Sequence, residues 1–557
     1  MVESALSHCR HRRNDGLRAA DHSGGGGAAR RRWARHAARD ACGRMQRGIA
    51  ALRAALRGRG GRMVLGGVLA AIVGAGAERA AADDRGLALP GGQVVPPLET
   101  HGPFDSTIGV EVYDRLRGEF VDWFATPPNA SNSTFRYNFL GNKFQLGVRV
   151  KREPYEFFVQ FQQATIANLP RHGVGFGATY FANTADTQQN GSVLRNGWGG
   201  TRSLFGVPGL FIKAGRQLYS SAMEAPPNDP SLYWLQANRL SQRLIGPFDW
   251  THTGRSQDGG QVGYDAEGWN ATVFGFRPTQ GGYEVDANRE LNVNLIGAVL
   301  SKKEFDWFGT TVGQLSYYYH DDFREDVVYV DNRPPAALNA DKGRSARIHT
   351  IGANLVHVVP LGPGAVDGLT YGYGQFGDWQ SLTQRAWAYG VEAGYRLTDV
   401  WAKPWLRVGI NSASGDTNPN DGTHGTFFQM LPTAQLYANF PFYNMMNDQD
   451  VLAQLILQPD PRLSFRLDGH WLRVNSSKDF VYSGGGATSN TFFGYTSTPT
   501  HGRNELAYLT HLTLGIQATQ NVLLNLFYAH VWGQGIIRSN FVGNDANYGY
   551  AEMVFTY

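Results

Sequence analysis

The chain has 557 residues, of which 18% are charged and 12% aromatic, with 69 glycines and a formal charge of +4. So low a charged fraction is unusual for a water-exposed surface; and because the two cysteines, Cys9 and Cys42, both lie in residues 1–62, the rest of the chain can hold neither a disulfide framework nor a thiolate metal site. The basic balance is local: residues 1–62 carry 15 arginines against four acidic residues, which leaves about −7 for the remainder and no reason to expect a nucleic-acid partner.

In chain order, the Arg-, Ala- and Gly-rich residues 1–62 read as a non-structural extension, with Met45 and Met63 as alternative starts. Arg57, Arg59 and Arg62 then precede an apolar run over 63–77 and the small residues 80–82. A basic start, a short apolar core and an Ala-x-Ala-like site predict a signal peptide over 63–82 and a mature chain from Asp83. Residues 83–109 form a periplasmic lead-in, and 110–557 the main body.

That body has no apolar run of about 18 residues, which excludes helical spanning. It alternates with period 2, in segments bounded by Gly, Pro, Asn and Asp. Near the start, Phe144, Leu146, Val148 and Val150 oppose Gln145, Gly147, Arg149 and Lys151. Over 386–397, Trp387, Tyr389, Val391, Ala393, Tyr395 and Leu397 oppose Ala388, Gly390, Glu392, Gly394 and Arg396. Over 405–411, Leu406, Val408 and Ile410 alternate with Trp405, Arg407, Gly409 and Asn411. Over 505–518, Leu506, Tyr508, Leu512, Leu514 and Ile516 oppose Glu505, His511, Thr513, Gly515 and Gln517. The end alternates too, with Met553, Phe555 and Tyr557 on one face. Large apolar residues facing one way and small or charged ones the other suit lipid outside and water inside. A closed barrel is the strand-based way to satisfy every backbone group in lipid. The expectation is an all-β, transmembrane antiparallel β-barrel in the outer membrane of a Gram-negative bacterium, with short periplasmic turns and longer extracellular loops.

Three blocks carry a family resemblance. Gly215, Arg216 and Gln217 are followed by 243–250 (RLIGPFDW) and 254–258 (GRSQD); Ser414, Gly415 and Asp416 by 425–433 (GTFFQMLPT); and 468–470 by 479–482 (DFVY). Over roughly 110–557 the chain resembles the alginate export family of outer-membrane barrels. The resemblance implies a monomeric barrel of about 18 strands with an Arg-lined, anion-selective pore, and an anionic polysaccharide or small anion as cargo. Lipid and the outer-membrane assembly machinery, which reads an aromatic terminal strand, are the other expected partners. The family motif contributes Arg216, Arg243 and Arg255, the first of uncertain phase because Lys213 and Arg216 fall on opposite faces of one segment. Strand phase alone puts Arg149, Arg396, Arg407 and Arg466 on the lumen side, with Glu392 and Asp468. Each arginine has a competing role as the partner of a lumen carboxylate.

Catalysis finds little support. The glycine pattern at 372–377 matches a dinucleotide fingerprint but sits in an alternating strand with no helix after it. His470 beside Asp468 reads as a lumen hydrogen-bond network, and the acidic loop 416–421 as a solvated turn rather than a calcium site. No cofactor or metal is expected. The alternatives to an exporter are a general or organic-acid-specific porin and an outer-membrane hydrolase or adhesin.

Overall fold

The computed structural model describes residues 98–127, 130–433 and 439–557. The expected extension, the signal peptide with its cleavage point and most of the lead-in lie outside the described residues. Eighteen long strands form the wall. They are β1 (Ser106–Asp122), β2 (Arg136–Arg152), β3 (Tyr155–Ala167), β4 (Gln188–Thr201), β5 (Leu210–Gln217) and β6 (Gln257–Asp265). Next come β7 (Trp269–Pro278), β8 (Val293–Asp306), β9 (Thr310–Asp322), β10 (Ala346–Leu361), β11 (Gly364–Trp379) and β12 (Leu382–Leu397). The last are β13 (Trp405–Ala413), β14 (Gln449–Asp460), β15 (Leu463–Arg473), β16 (Glu505–Thr519), β17 (Val522–Gly533) and β18 (Asp545–Thr556). Each pairs antiparallel with its neighbours in the chain, and β18 closes on β1 with Tyr113 opposite Thr556 and Asp122 opposite Asn547. Closure leaves no edge strand in the wall, as a membrane requires. A short strand, Leu98–Gly102, folds back on the start of β1, so the sheet begins ahead of residue 110.

The alternation sorts the two faces as predicted. On β12, Trp387, Tyr389 and Val391 are exposed on the outside while Ala388 and Glu392 are buried inside. Leu406 and Val408 flank the buried Arg407 in the same way on β13, and the exposed Leu146 and Val148 flank the buried Gly147 on β2. Exposed Phe120, Phe161, Leu315, Ile351 and Tyr528 continue the apolar outer face on other strands. One expected lipid-facing residue is buried: Leu506. Pairing slips between Leu472 and Arg473 where β15 meets β16, so the simple period is lost at that strand end and Leu506 and Ala507 are both covered. No helix among the described residues is long and apolar enough to cross a membrane.

The connections divide by end. Tight turns at 153–154, 266–268, 307–309, 362–363, 461–462 and 520–521 mark one rim, and loops 218–256, 323–345, 414–448 and 474–504 leave the other. That asymmetry is the predicted one of short periplasmic turns and longer extracellular loops. The two-residue link between β11 and β12 is an exception on the long-loop rim.

Candidate functional site: the barrel lumen

Loop 218–256 folds into the lumen. Asp229 caps helix Pro230–Leu235, its Oδ1 accepting the N–H groups of Ser231 at 2.8 Å and Leu232 at 2.9 Å, with Pro230 at the first helical position. The chain continues through one π turn, Gln236–Leu240, which carries Arg239 toward the wall, and Arg243 Nε then donates to the Arg239 carbonyl at 2.7 Å. Segment 243–250 next pairs with 425–433: Leu431 N donates to the Leu244 carbonyl (2.8 Å) and Gly246 N to the Leu431 carbonyl (2.9 Å). Asp479 joins them, accepting from Thr426 Oγ1 at 2.5 Å and Asp416 N at 2.9 Å. Loop segments from all three sequence blocks behind the family resemblance thus meet in one buried plug inside the barrel, while 215–217 and 468–470 lie in the wall.

The wall holds this plug by hydrogen bonds to its backbone, most of them from charged donors. Arg115 of β1 donates to the carbonyls of Asp249 (3.0 Å) and Thr251 (2.7 Å), Arg117 to that of Trp250 (2.8 Å), Lys143 of β2 to that of Asp249 (2.8 Å), and Gln162 of β3 to that of Thr253 (2.6 Å). His252 Nε2 lies 2.7 Å from Glu119 Oε1, and burial pushes this histidine down to about 4, so the neutral ring donates to the carboxylate. The ring sits where a side chain at position 141 would be, which explains Gly141 on β2. Arg195 of β4 pairs with Asp249.

A second network spans β11–β13. Arg239 grips Glu392 at 2.9 and 2.8 Å, Arg243 Nη2 is 3.6 Å from it, and Arg407 reaches it at 3.0 Å while also pairing with Asp367. Gly394, opposite Arg407 on β12, clears the path, since a Cβ there would collide with the Asp367 carboxylate and the Arg407 side chain. Three guanidiniums therefore share two carboxylates.

The structure places the remaining expected residues as follows. Arg149 faces inward between Glu111 (2.9 Å) and Glu156 (2.5 Å), with its guanidinium 4.3 Å from the Phe158 ring. Arg396 stacks inside over Trp405 at 5.3 Å. Arg466 binds Asp468 at 2.5 Å on β15. Arg243 lies over Tyr371 at 4.7 Å. Arg255 differs: buried in the plug, it donates to the Gly485 carbonyl at 2.5 Å and lies 5.0 Å over Phe248, with no carboxylate partner among the described residues. Burial, with Arg195 nearby, pushes its guanidinium down to about 10. Arg216 does not line the lumen. Lys213, three residues earlier, lies 4.2 Å over the inward Trp198, so the pleat turns Arg216 outward, where it forks onto Asp258 at 2.6 and 2.5 Å. His470 bonds Asp450 at 2.9 Å and is linked to Asp468 through His511, which lies 3.2 Å from the one and 3.1 Å from the other. The 372–377 string lies within β11, and Asp416 Oδ1 accepts the N–H of Asn418 at 3.0 Å in a local turn.

On the short-turn side of the plug the lumen opens into a cavity of about 850 Å3. Its wall holds the cations Arg149, Lys151, Arg202, Lys213 and Lys303, the acids Glu153, Glu156, Glu224 and Asp265, and the aromatic faces of Tyr155, Phe158 and Trp198. Lys303 pairs with Asp265 at 2.9 Å, and burial raises the carboxyl of Glu224, which accepts from Gln314 at 2.8 Å.

Sequence reasoning missed Arg115, Arg117 and Glu119, although they alternate with Leu116, Gly118 and Phe120 in the same period-2 pattern read elsewhere. It also missed Arg239, whose only signal is its position four residues before Arg243.

No curated protein sequence matches the chain. Among solved structures, Acinetobacter baumannii OccAB1 aligns with a TM-score of 0.51 at 9% identity, over 81% of this chain and 96% of that one. Pseudomonas aeruginosa OccK9 (OpdG) gives 0.49 at 10% identity, over 80% and 98%. At such identities the likeness is one of fold. A family model described as alginate export matches residues 235–546, more than half of the chain and the span of the inward plug, and the chain therefore belongs to the alginate export family of outer-membrane β-barrel channels.

Proposed function

We propose that this outer-membrane channel passes an acidic polysaccharide of the uronate type as a monomeric barrel. The observation that carries the reading is the family match across 235–546, because that span contains the buried loops that occupy the lumen. The chemistry supports it. Around the plug, the wall cations Arg115, Arg117, Lys143 and Arg195 meet the carboxylates Glu119, Asp249 and Glu552, and at β11–β13 three arginines meet two. Guanidinium forks suit sugar carboxylates, and fixed positive charge in a passage with low-dielectric walls is screened less than at an open surface. Trp198 and Phe158 offer flat faces to sugar rings beside Lys213 and Arg149. A mature chain from Asp83 goes with this reading, with the barrel wall beginning at Ser106 rather than at the expected 110.

A second reading, uptake of a small organic acid, draws on the cavity, whose volume fits a small ligand better than a polymer. Planar-bilayer recording separates the two. Anion-selective reversal potentials with current block by oligouronates, and none by neutral oligosaccharides of equal length, are expected. Cation selectivity would overturn both readings; block by small carboxylates alone would leave the second.

A further inference from the structure

Against the basic networks of the lumen stands a patch of opposite character on β14–β16. Asp468 and His470 of β15 and His511 of β16 are each buried, and one ligand atom from each falls within 4.8 Å of the others. His470 Nε2 lies 3.2 Å from His511 Nε2, and His511 Nε2 lies 3.1 Å from Asp468 Oδ2. These separations match the edge of a tetrahedron, about 3.3 Å when metal–ligand bonds are about 2.0–2.1 Å.

The protons favour the same view. His470 Nδ1 faces both oxygens of Asp450, at 2.9 and 3.1 Å. A carboxylate only accepts, so the Nδ1 proton is directed there and the Nε2 lone pair is left pointing at His511. One proton on His511 Nε2 must then serve two acceptors, the His470 lone pair and the Asp468 oxygen. Nearby, Asp468 Oδ1 and His511 Nδ1 have no hydrogen-bond partner. Arg466 offsets Asp468, its Nε and Nη2 both on Asp468 Oδ2, and Arg239 acts on both aspartates from farther off. Phe527 packs on the His511 ring at 5.7 Å and fixes its plane.

We propose that Asp468, His470 and His511 form a binding site for a divalent transition metal of the zinc class, with Asp450 as the carboxylate that orients His470. Two imidazoles and one carboxylate are a borderline ligand set that favours zinc over calcium or magnesium. The pairing of a ligand histidine with an outer carboxylate is the arrangement that fixes its tautomer. A bound ion would tie β15 to β16 on the lumen wall. The inference stands apart from the proposed cargo. Sequence reading misses it because His470 and His511 are far apart in the chain and acquire metal-ligand spacing only through strand pairing, with Asp468 opposite His511.

The test uses the full barrel, without a histidine tag, folded in detergent and stripped with a chelator. Zinc titration should show one ion per chain, and cobalt should give the strong visible absorption of a tetrahedral site. His511→Gln and His470→Gln should each abolish that absorption, and Asp450→Asn should weaken zinc binding about 10- to 100-fold. Should the variants not assemble, X-ray absorption at the zinc edge of the wild-type protein decides: two imidazoles in the coordination shell support the site. A wild-type barrel that holds no zinc, a His470/His511 double variant that binds as well, or an oxygen-only shell would each overturn it.

Discussion

Glu392 and Arg149 both project into the lumen from the barrel wall, and both sit in ion pairs, yet their surroundings differ. The Glu392 side chain is 0% exposed, under a loop that brings Arg239 and Arg243 to it from inside the lumen, whereas Arg149 is 18% exposed and faces open space on the short-turn side of that loop. Removing either group deletes one charge. In the plug the deletion strands buried partners, while in the cavity water covers the loss. The comparison teaches that a lumen charge on this scaffold has one of two roles, fastening a loop or meeting a solute, and that burial decides which.

The plug should therefore give the largest effects. Glu392→Ala removes the carboxylate on which Arg239, Arg243 and Arg407 converge, and breaking a buried pair in this way costs about 3–5 kcal/mol. Arg407→Ala should cost a similar amount by stranding Asp367. The readout is the temperature at which heat-modifiable gel mobility is lost. Wild-type melting in both variants would mean that the plug is not fastened by this network. Because Arg407 and Arg466 are each matched to a carboxylate, the Arg407→Ala/Arg466→Ala double variant should lose stability more than anion preference.

The lipid face comes next. Val408→Arg puts a charge on the exposed outer surface at roughly 2–4 kcal/mol near the midplane, and assembly should fall, while Val408→Leu should be tolerated. Gly409 faces inward, but a Cβ there would meet Glu392 Cγ at 2.6 Å, so Gly409→Arg should also fail, through the plug rather than the membrane. Efficient assembly of Gly409→Arg would show that this contact yields easily.

A smaller effect should follow pH. Burial pushes the Asp479 carboxyl up to about 6, despite the hydroxyls of Thr426 and Tyr482 and the amides of Asp416 and Phe480 that donate to it. The folded value lies above the unfolded one of about 3.9, so proton uptake favours the folded state. That stabilisation, roughly 3 kcal/mol, is fully present below about pH 4 and lost as pH rises through about 6. Protection factors for hydrogen exchange over 474–504, taken against the intrinsic rate at each pH, should rise between pH 7.5 and 5, and Asp479→Asn should flatten that rise. An unchanged response in the Asn variant would assign it to another group.

The wall was legible because lipid and lumen impose a period of two that residues such as Trp387–Glu392 or Leu406–Val408 carry without help from distant parts of the chain. The pattern failed at Leu506, where a slip in pairing changes the phase, a property of two strands rather than one. The plug was legible only as motifs. Nothing local in RLIGPFDW shows that Asp249 and Trp250 will present carbonyls to Arg115, Arg117 and Lys143, because those bonds form only when the barrel closes around the loop. The pairing of each arginine depends likewise on strand register, as with Arg407 and Asp367 across β11–β13.

The smallest expected change in stability, and the sharpest test of the cavity, compares two residues of β5. Lys213 faces the cavity with its ammonium 4.2 Å over Trp198, and Arg216 faces outward in its fork with Asp258. Lys213→Ala removes a cation that is partly in water, so stability should change by no more than about 1 kcal/mol. Arg216→Ala breaks a partly exposed ion pair at the long-loop end of the strand, where the cost is of similar size. Neither change should stop assembly, so selectivity can be read on folded barrels. Lys213→Ala should move the reversal potential toward cations and weaken block by oligouronates, because the lost charge stood in the path of the solute. Arg216→Ala should leave both unchanged, since its field acts on the outside of the wall and is already offset by Asp258. Equal shifts in the two variants would mean that charge anywhere on this strand sets selectivity, and the cavity would lose its claim to be where the solute is met.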